Sequence, residues 1–178
     1  MKKKVISTQK LLFWTMLIMI LPMLGACQKD DGMDQEGVIN LKDIPENPKF
    51  ADLPLVGTKW KLVGFANSET GKIKVADVGL RGEDRLPECA RCFTLFFDEM
   101  GVFEFFSTLN KFMRNYRVEN IDSQLFFEGG YRTTAGERGD GEKFAAAMYK
   151  VDKFNISSRG LALYYGSSDY LLFQPSME

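Results

Sequence analysis

Two cysteines three positions apart, Cys89 and Cys92 in "CARC", carry the sharpest local chemistry in the chain. As a local disulfide the pair closes a short loop, worth about 2 kcal/mol through lost unfolded-state entropy. As a redox dithiol it would sit after a strand and at a helix N-terminus, where the dipole lowers a thiol pKa. Here the strand-like run "CFTLFF" follows instead. A zinc site needs four ligands, and two thiols supply half of them. The disulfide is the expectation; a redox pair, a zinc site completed by acids or a second chain, and two free thiols stay beside it.

The chain contains no histidine. That removes Ser-His-Asp and Cys-His activation of a nucleophile and the usual imidazole metal sites. Carboxylates and lysines remain. Glu83 and Asp84 lie in "RGEDRLPE", Glu137 and Asp140 in "GERGDGE", and both stretches also carry arginine. Such mixed-sign loops read as solvated surface. "GERGDGE" lacks the spaced acids of an EF-hand and the Lys-Ser/Thr ending of a phosphate loop. No catalytic residue, metal or cofactor is assigned, and the expected role is non-enzymatic.

Cys27 is a different matter. Ahead of it stand Lys2, Lys3, Lys4 and Lys10, the uncharged run "LLFWTMLIMILPML", and the exit Leu24-Gly25-Ala26. A basic head, a short apolar middle and small residues at the exit describe a secretory signal peptide. The apolar run is shorter than the roughly 20 residues of a spanning helix. Its exit resembles the lipobox of bacterial lipoproteins, which implies lipid attachment at Cys27, anchorage in the outer membrane and removal of residues 1–26. The following Lys29, Asp30 and Asp31 resemble the signal that exports some Gram-negative lipoproteins to the cell surface.

Losing the leader removes four lysines and no acid, leaving 19 basic and 24 acidic residues, a net charge of −5. That sign argues against nucleic acid as a partner. Residues 28–54, with Pro45, Pro48 and Pro54 and scattered apolar residues, read as a flexible tether. The folded domain is expected over 55–178, a usual domain size.

Within it, "GTKWKLVGF" (57–65) alternates, with Trp60, Leu62 and Gly64 on one side, as a half-buried strand does. "CFTLFFDEMGVFEFFS" (92–107) predicts a hairpin turning at Gly101, with Phe on both faces, so that both faces need cover. "NYRVEN" (115–120) and "SQLFFEG" (123–129) predict another pair. "DGEKFAAAMYKV" (140–151) predicts the one helix, with Phe144, Met148 and Val151 on its inner face, Asp140 as cap and Glu142 at its positive end. Strands resume over 153–173, turning at "SSRG" and "GSSD". The expected fold is mainly β: a small antiparallel barrel or strongly curled sheet with one late helix. Most of the 15 phenylalanines are its filling. Tyr116, Tyr131, Tyr164, Tyr165 and Tyr170 read as strand alternation with polar tips in water.

"LVGTKWKLVGF", "FTLFFDEMGVFEFF" and "GEKFAAAMYKVDKFNISSRGLALYYGSSDYLLF" together resemble the META (HslJ-like) domain and small lipocalin-like lipoproteins of Gram-negative bacteria. The resemblance runs over about 55–173 and implies a small antiparallel barrel in the bacterial envelope, without a catalytic set. Where META members often carry Gly-Cys-Asn, "STLNKF" offers Asn110 alone. Two occupants are expected in turn: a small apolar ligand inside the barrel, or an envelope protein held by loops or an edge strand if the interior is full.

Overall fold

A computed structural model describes residues 37–79, 89–119 and 123–176. Cys27, Lys29, Asp30, Asp31, Glu83 and Asp84 lie outside them. Among the described residues are ten strands in one antiparallel sheet: β1 (Val38–Asn40), β2 (Lys59–Asn67), β3 (Lys72–Val75), β4 (Thr94–Phe97), β5 (Val102–Phe106), β6 (Lys111–Glu119), β7 (Gln124–Arg132), β8 (Lys153–Ser157), β9 (Gly160–Tyr164) and β10 (Asp169–Pro175). One helix, α1 (Gly141–Met148), lies between β7 and β8. The expected curled, mainly β architecture with a late helix is what forms.

Strand β2 organises the closure. Its first half pairs with β4 (Trp60 opposite Leu95) and its second half with β3 (Ala66 opposite Ile73) on the same side. On its other side it pairs with β10 from Asn67–Asp169 to Trp60–Pro175. The β2–β4 contact turns eight strands into a ring, leaving β3 and β1 as a flap beyond it. Gly64 sits where the flap departs. A β-carbon there would stand 2.2 Å from the Lys74 carbonyl oxygen and 2.9 Å from Ile73 Cγ1, so a side chain would push β3 away.

The alternation read in β2 holds through Leu62, with Trp60 and Leu62 buried and Lys59 and Lys61 less so. It then slips at a register shift, so that Phe65 rather than Gly64 joins Trp60 and Leu62 in the main core. In the β4–β5 hairpin Leu95, Phe97, Phe103 and Phe105 point inward. The Asp98 carboxylate holds the turn by accepting from the Met100 and Val102 N–H groups, and Gly101 has φ +83°, which favours glycine. The outer face is covered less than expected. Phe96 is 37% exposed, and Phe106 is flanked by Arg91 and Lys111 at 5.3 and 5.4 Å from its ring centre, so long charged side chains do the covering.

Helix α1 packs Phe144, Ala145, Ala147 and Met148 into the main core, where Val151 joins them. Asp140 precedes the helix without capping it by its side chain. Its carboxylate instead accepts from Lys74 Nζ at 2.7 Å and from the Asp77 N–H at 3.0 Å. An ion pair that close, in a residue only 8% exposed, outcompetes the cap.

Residues 37–54 are not a tether. Strand β1 extends the flap, short 3-10 turns follow at Leu41–Asp43 and Pro48–Phe50, and Leu41 and Ile44 are buried against Ala66, Ile73 and Leu172 on the outside of the ring. This second small core explains why Ala66 and Leu172, whose faces turn outward, are buried. The Asn47 N–H also donates to the Ser158 carbonyl at 2.7 Å.

Candidate functional site

The middle of the ring is occupied by aromatic rings. Phe105 stacks on Phe112 with centres 4.4 Å apart, Phe97 stacks on Phe103 at 4.5 Å, and Phe144 meets both Phe93 and Phe105 edge-on. Tyr116 packs partly against this core as well, donating its hydroxyl to the Asp98 carbonyl at 2.7 Å. Each buried Phe contributes roughly 2–3 kcal/mol by area alone, and edge-on contacts suit the ring quadrupoles.

The ring has a weak seam. β7 meets β8 at a single register pair, Gln124 opposite Lys153. Two further main-chain bonds, Leu125 N–H to Asp152 O and Phe154 N–H to Ser123 O, end the contact. From Phe126 to Arg132 the outer edge of β7 has no partner strand among the described residues. Gly129 and Gly130 take positive φ there, opposite a shift of register in β6 between Met113 and Asn115. The bulge twists the edge, a common way to blunt one.

Arg114 closes part of the gap. The Leu125 N–H faces β8, so by the two-residue period of a strand the peptide group of Phe127 faces the same way. Its carbonyl accepts from Arg114 Nη2 at 3.2 Å, and the Gly129 carbonyl accepts from Arg114 Nε at 3.3 Å. The guanidinium lies 5.2 and 5.3 Å from the ring centres of Phe127 and Tyr149, within cation–π range.

Beyond Arg132 the seam widens into an open cleft of about 600 Å³ between residues 132–137 and α1, with Phe112 and Ala145 deep in it and Tyr149, Ala146 and Glu142 on the helix side. Its far wall is built by a hydrogen-bonded hub. Asn110, 5% exposed, donates from Nδ2 to Ala135 O (2.8 Å) and Glu137 Oε1 (2.6 Å), and its Oδ1 accepts from Thr133 Oγ1 and the Ala135 N–H. Glu137 also accepts from Ser107 Oγ, from Thr108 Oγ1 at 2.7 Å and from the Leu109 N–H at 3.3 Å. Burial alone would raise its pKa; the bonds from Ser107, Asn110, Thr108 and Leu109 together hold it below the usual carboxylate range.

In the mixed-sign loop "GERGDGE", Glu137 and Asp140 are therefore not solvated surface, whereas Glu142 is exposed. Glu137 ties the β5–β6 turn to the cleft wall, and Asp140 ties α1 to the flap. Asp140 likewise titrates low, burial being outweighed by the bonds from Lys74 and the Asp77 N–H and by the charges of Lys74 and Lys143. With its oxygens engaged by four neighbours, Glu137 is built to hold structure. A second hollow, about 290 Å³, lies on the outer face among Lys59, Phe96, Glu104 and Met113.

Cys89 and Cys92 are joined by a disulfide, with Cα atoms 5.3 Å apart. The structure brings this bond, Asn110 and Glu137 to one end of the molecule, around the turn at Ser107–Asn110. Of the other tyrosines, Tyr131 is 60% exposed, and Tyr164 and Tyr170 pack together at 5.2 Å.

No protein-family model and no curated protein matches the chain. Among solved structures it is similar to a protein from Burkholderia xenovorans determined by NMR, at 22% identity and a TM-score of 0.48 over 75% of this chain and 91% of that one. It is also similar to a DUF4847 family protein from Bacteroides vulgatus, at 12% identity and a TM-score of 0.48 over 70% of this chain and 96% of that one.

Proposed function

We propose that the chain is a lipoprotein of the Gram-negative envelope, anchored to the outer membrane through Cys27 and displayed at the cell surface, and that it binds an extended segment of another envelope protein without catalysing a reaction. The leader, the lipobox-like exit and the Lys29-Asp30-Asp31 stretch support the anchorage and the display. Kinship with META and lipocalin-like proteins rests on the strand motifs named above.

The open β7–β8 seam carries the binding reading. An extended segment laid along Phe126–Arg132 would displace Arg114 from the Phe127 and Gly129 carbonyls and complete main-chain pairing that β8 does not supply, and the adjoining cleft would take its side chains. Arg132, Thr133, Thr134 and Glu142 provide polar contacts there, Ala146 and Tyr149 apolar ones. The packed rings inside the barrel favour this occupant over a small apolar ligand.

A photo-crosslinking residue at Thr134 in intact cells tests it, with the same residue at exposed Glu69 as comparison. The expected result is a protein adduct at position 134 only, mapping to a segment whose synthetic peptide protects the amides of 126–132 from hydrogen exchange. Absence of that protection, or a native mass carrying a small apolar molecule released on denaturation, overturns the reading.

A further inference from the structure

The Cys89–Cys92 bond joins sulfurs in unlike surroundings. Cys92 is 4% exposed and belongs to the main core, whereas Cys89 is only half-buried. A small hollow of about 70 Å³ opens on the pair, walled by Arg91, Phe106, Thr108 and Leu109. Lys61 Nζ donates to the Cys89 carbonyl at 2.7 Å and to the Ala90 carbonyl at 3.3 Å, and Arg91, on the wall of the hollow, lies over the Phe106 ring. No helix follows the pair, since β4 begins at Thr94, so no helix dipole acts on it.

One contact would serve the reduced pair. Cys92 Sγ lies 3.4 Å from the Thr108 carbonyl oxygen, to which a Cys92 thiol would donate.

We propose that Cys89–Cys92 is an exchange-active disulfide, attacked at Cys89 by small thiols entering the Arg91–Leu109 hollow. A thiolate RS⁻ bonds to Cys89 Sγ, the Cys89–Cys92 bond breaks, and its electron pair goes to Cys92 Sγ. That sulfur takes the proton RSH gave up and donates to Thr108 O. A second thiolate then attacks the R sulfur of the mixed disulfide, releasing RSSR and leaving Cys89 as a thiolate beside Lys61 and Arg91, or as a thiol after protonation. Two thiols are oxidised to one disulfide, and the pair gains two hydrogens.

The test is the rate at which glutathione reduces the purified chain, read by alkylation and mass in native buffer and in denaturant. An exchange-active bond reacts natively within about a hundredfold of the unfolded rate, whereas a bond sealed in a core is slowed much further. Cys92→Ser should take up one glutathionyl group from oxidised glutathione at Cys89, while Cys89→Ser should leave Cys92 unmodified in the folded chain. Native reduction slower than that limit, or equal uptake at both cysteines, overturns the proposal, and the wild-type rates stand even where a variant does not fold.

Discussion

Arg114 donates to the main-chain carbonyl of Phe127 at 3.2 Å, from a side chain that starts on β6 and ends at the outer edge of β7. A charged side chain thus takes the place of a neighbouring strand. The bond satisfies an acceptor at an open edge, and the ring of Tyr149 on the other side fixes the guanidinium against α1.

Replacing Arg114 with Ala should cost about 1–2 kcal/mol, the worth of a charge-assisted bond and partly screened cation–π contacts. Hydrogen exchange should quicken at 126–132 and not in β2 or β10. Because a bared edge pairs with other edges, the variant should also self-associate as concentration rises, measurable by sedimentation. An Arg114→Lys change restores charge but not the two-carbonyl fork, so it should recover little of the protection.

Glu137→Gln should destabilise the fold by about 2–3 kcal/mol near neutral pH, since several donors lose an ionised acceptor. The sign of its pH dependence follows from the lowered pKa. A depressed carboxylate contributes stability above its unfolded pKa, and that contribution drains away as pH falls through the folded value. Denaturant titrations of both proteins should therefore converge as the solution is acidified below the ordinary value of 4.5. Curves that stay parallel would mean that Glu137 is not the titrating group.

Gly64→Ala should be severe, at about 3 kcal/mol or more, because the new methyl meets backbone where strand and flap are packed. Exchange protection should be lost first at Lys72–Val75. Gly136→Ala serves as the comparison: nothing lies within 4 Å of its added methyl, so its melting temperature should barely move.

Labelling cells with a palmitate analogue should mark the wild-type chain and leave Cys27→Ser unmarked. Protease shaving of intact cells should cleave the wild type and spare a variant with Lys29, Asp30 and Asp31 changed to Ala. Protection of the wild type, while a known surface protein is cut, would contradict surface display.

What the sequence disclosed depended on whether neighbours in space were neighbours in the chain. The alternation of Trp60 and Leu62, the turn at Gly101 and the face of Phe144 and Met148 are local patterns and formed as read, although the helix stops at Met148 and Val151 reaches the same core from beyond its end. The segment before Leu55 was opaque because Leu41 and Ile44 sit among prolines and charges, each finding its cover on a distant strand. "KIKV", with buried Ile73 between two lysines, was the available sign of the flap that covers them. The Asn110–Glu137 hub spans 27 positions, and no period relates its members. Asp140 misled in the opposite way, since a residue placed to cap a helix found a lysine instead.

The pairing of Trp60 with Pro175 has a consequence for how the molecule is made. The strand that begins the ring and the strand that completes it are separated by nearly the whole domain, so the closing contact waits until Pro175 has been made. Such distant pairing folds slowly. A nascent chain would leave the ribosome with its aromatic hairpins exposed and its barrel unsealed. Until that strand arrives, the stacked rings of Phe97, Phe103, Phe105 and Phe112 have no sealed interior to hold them.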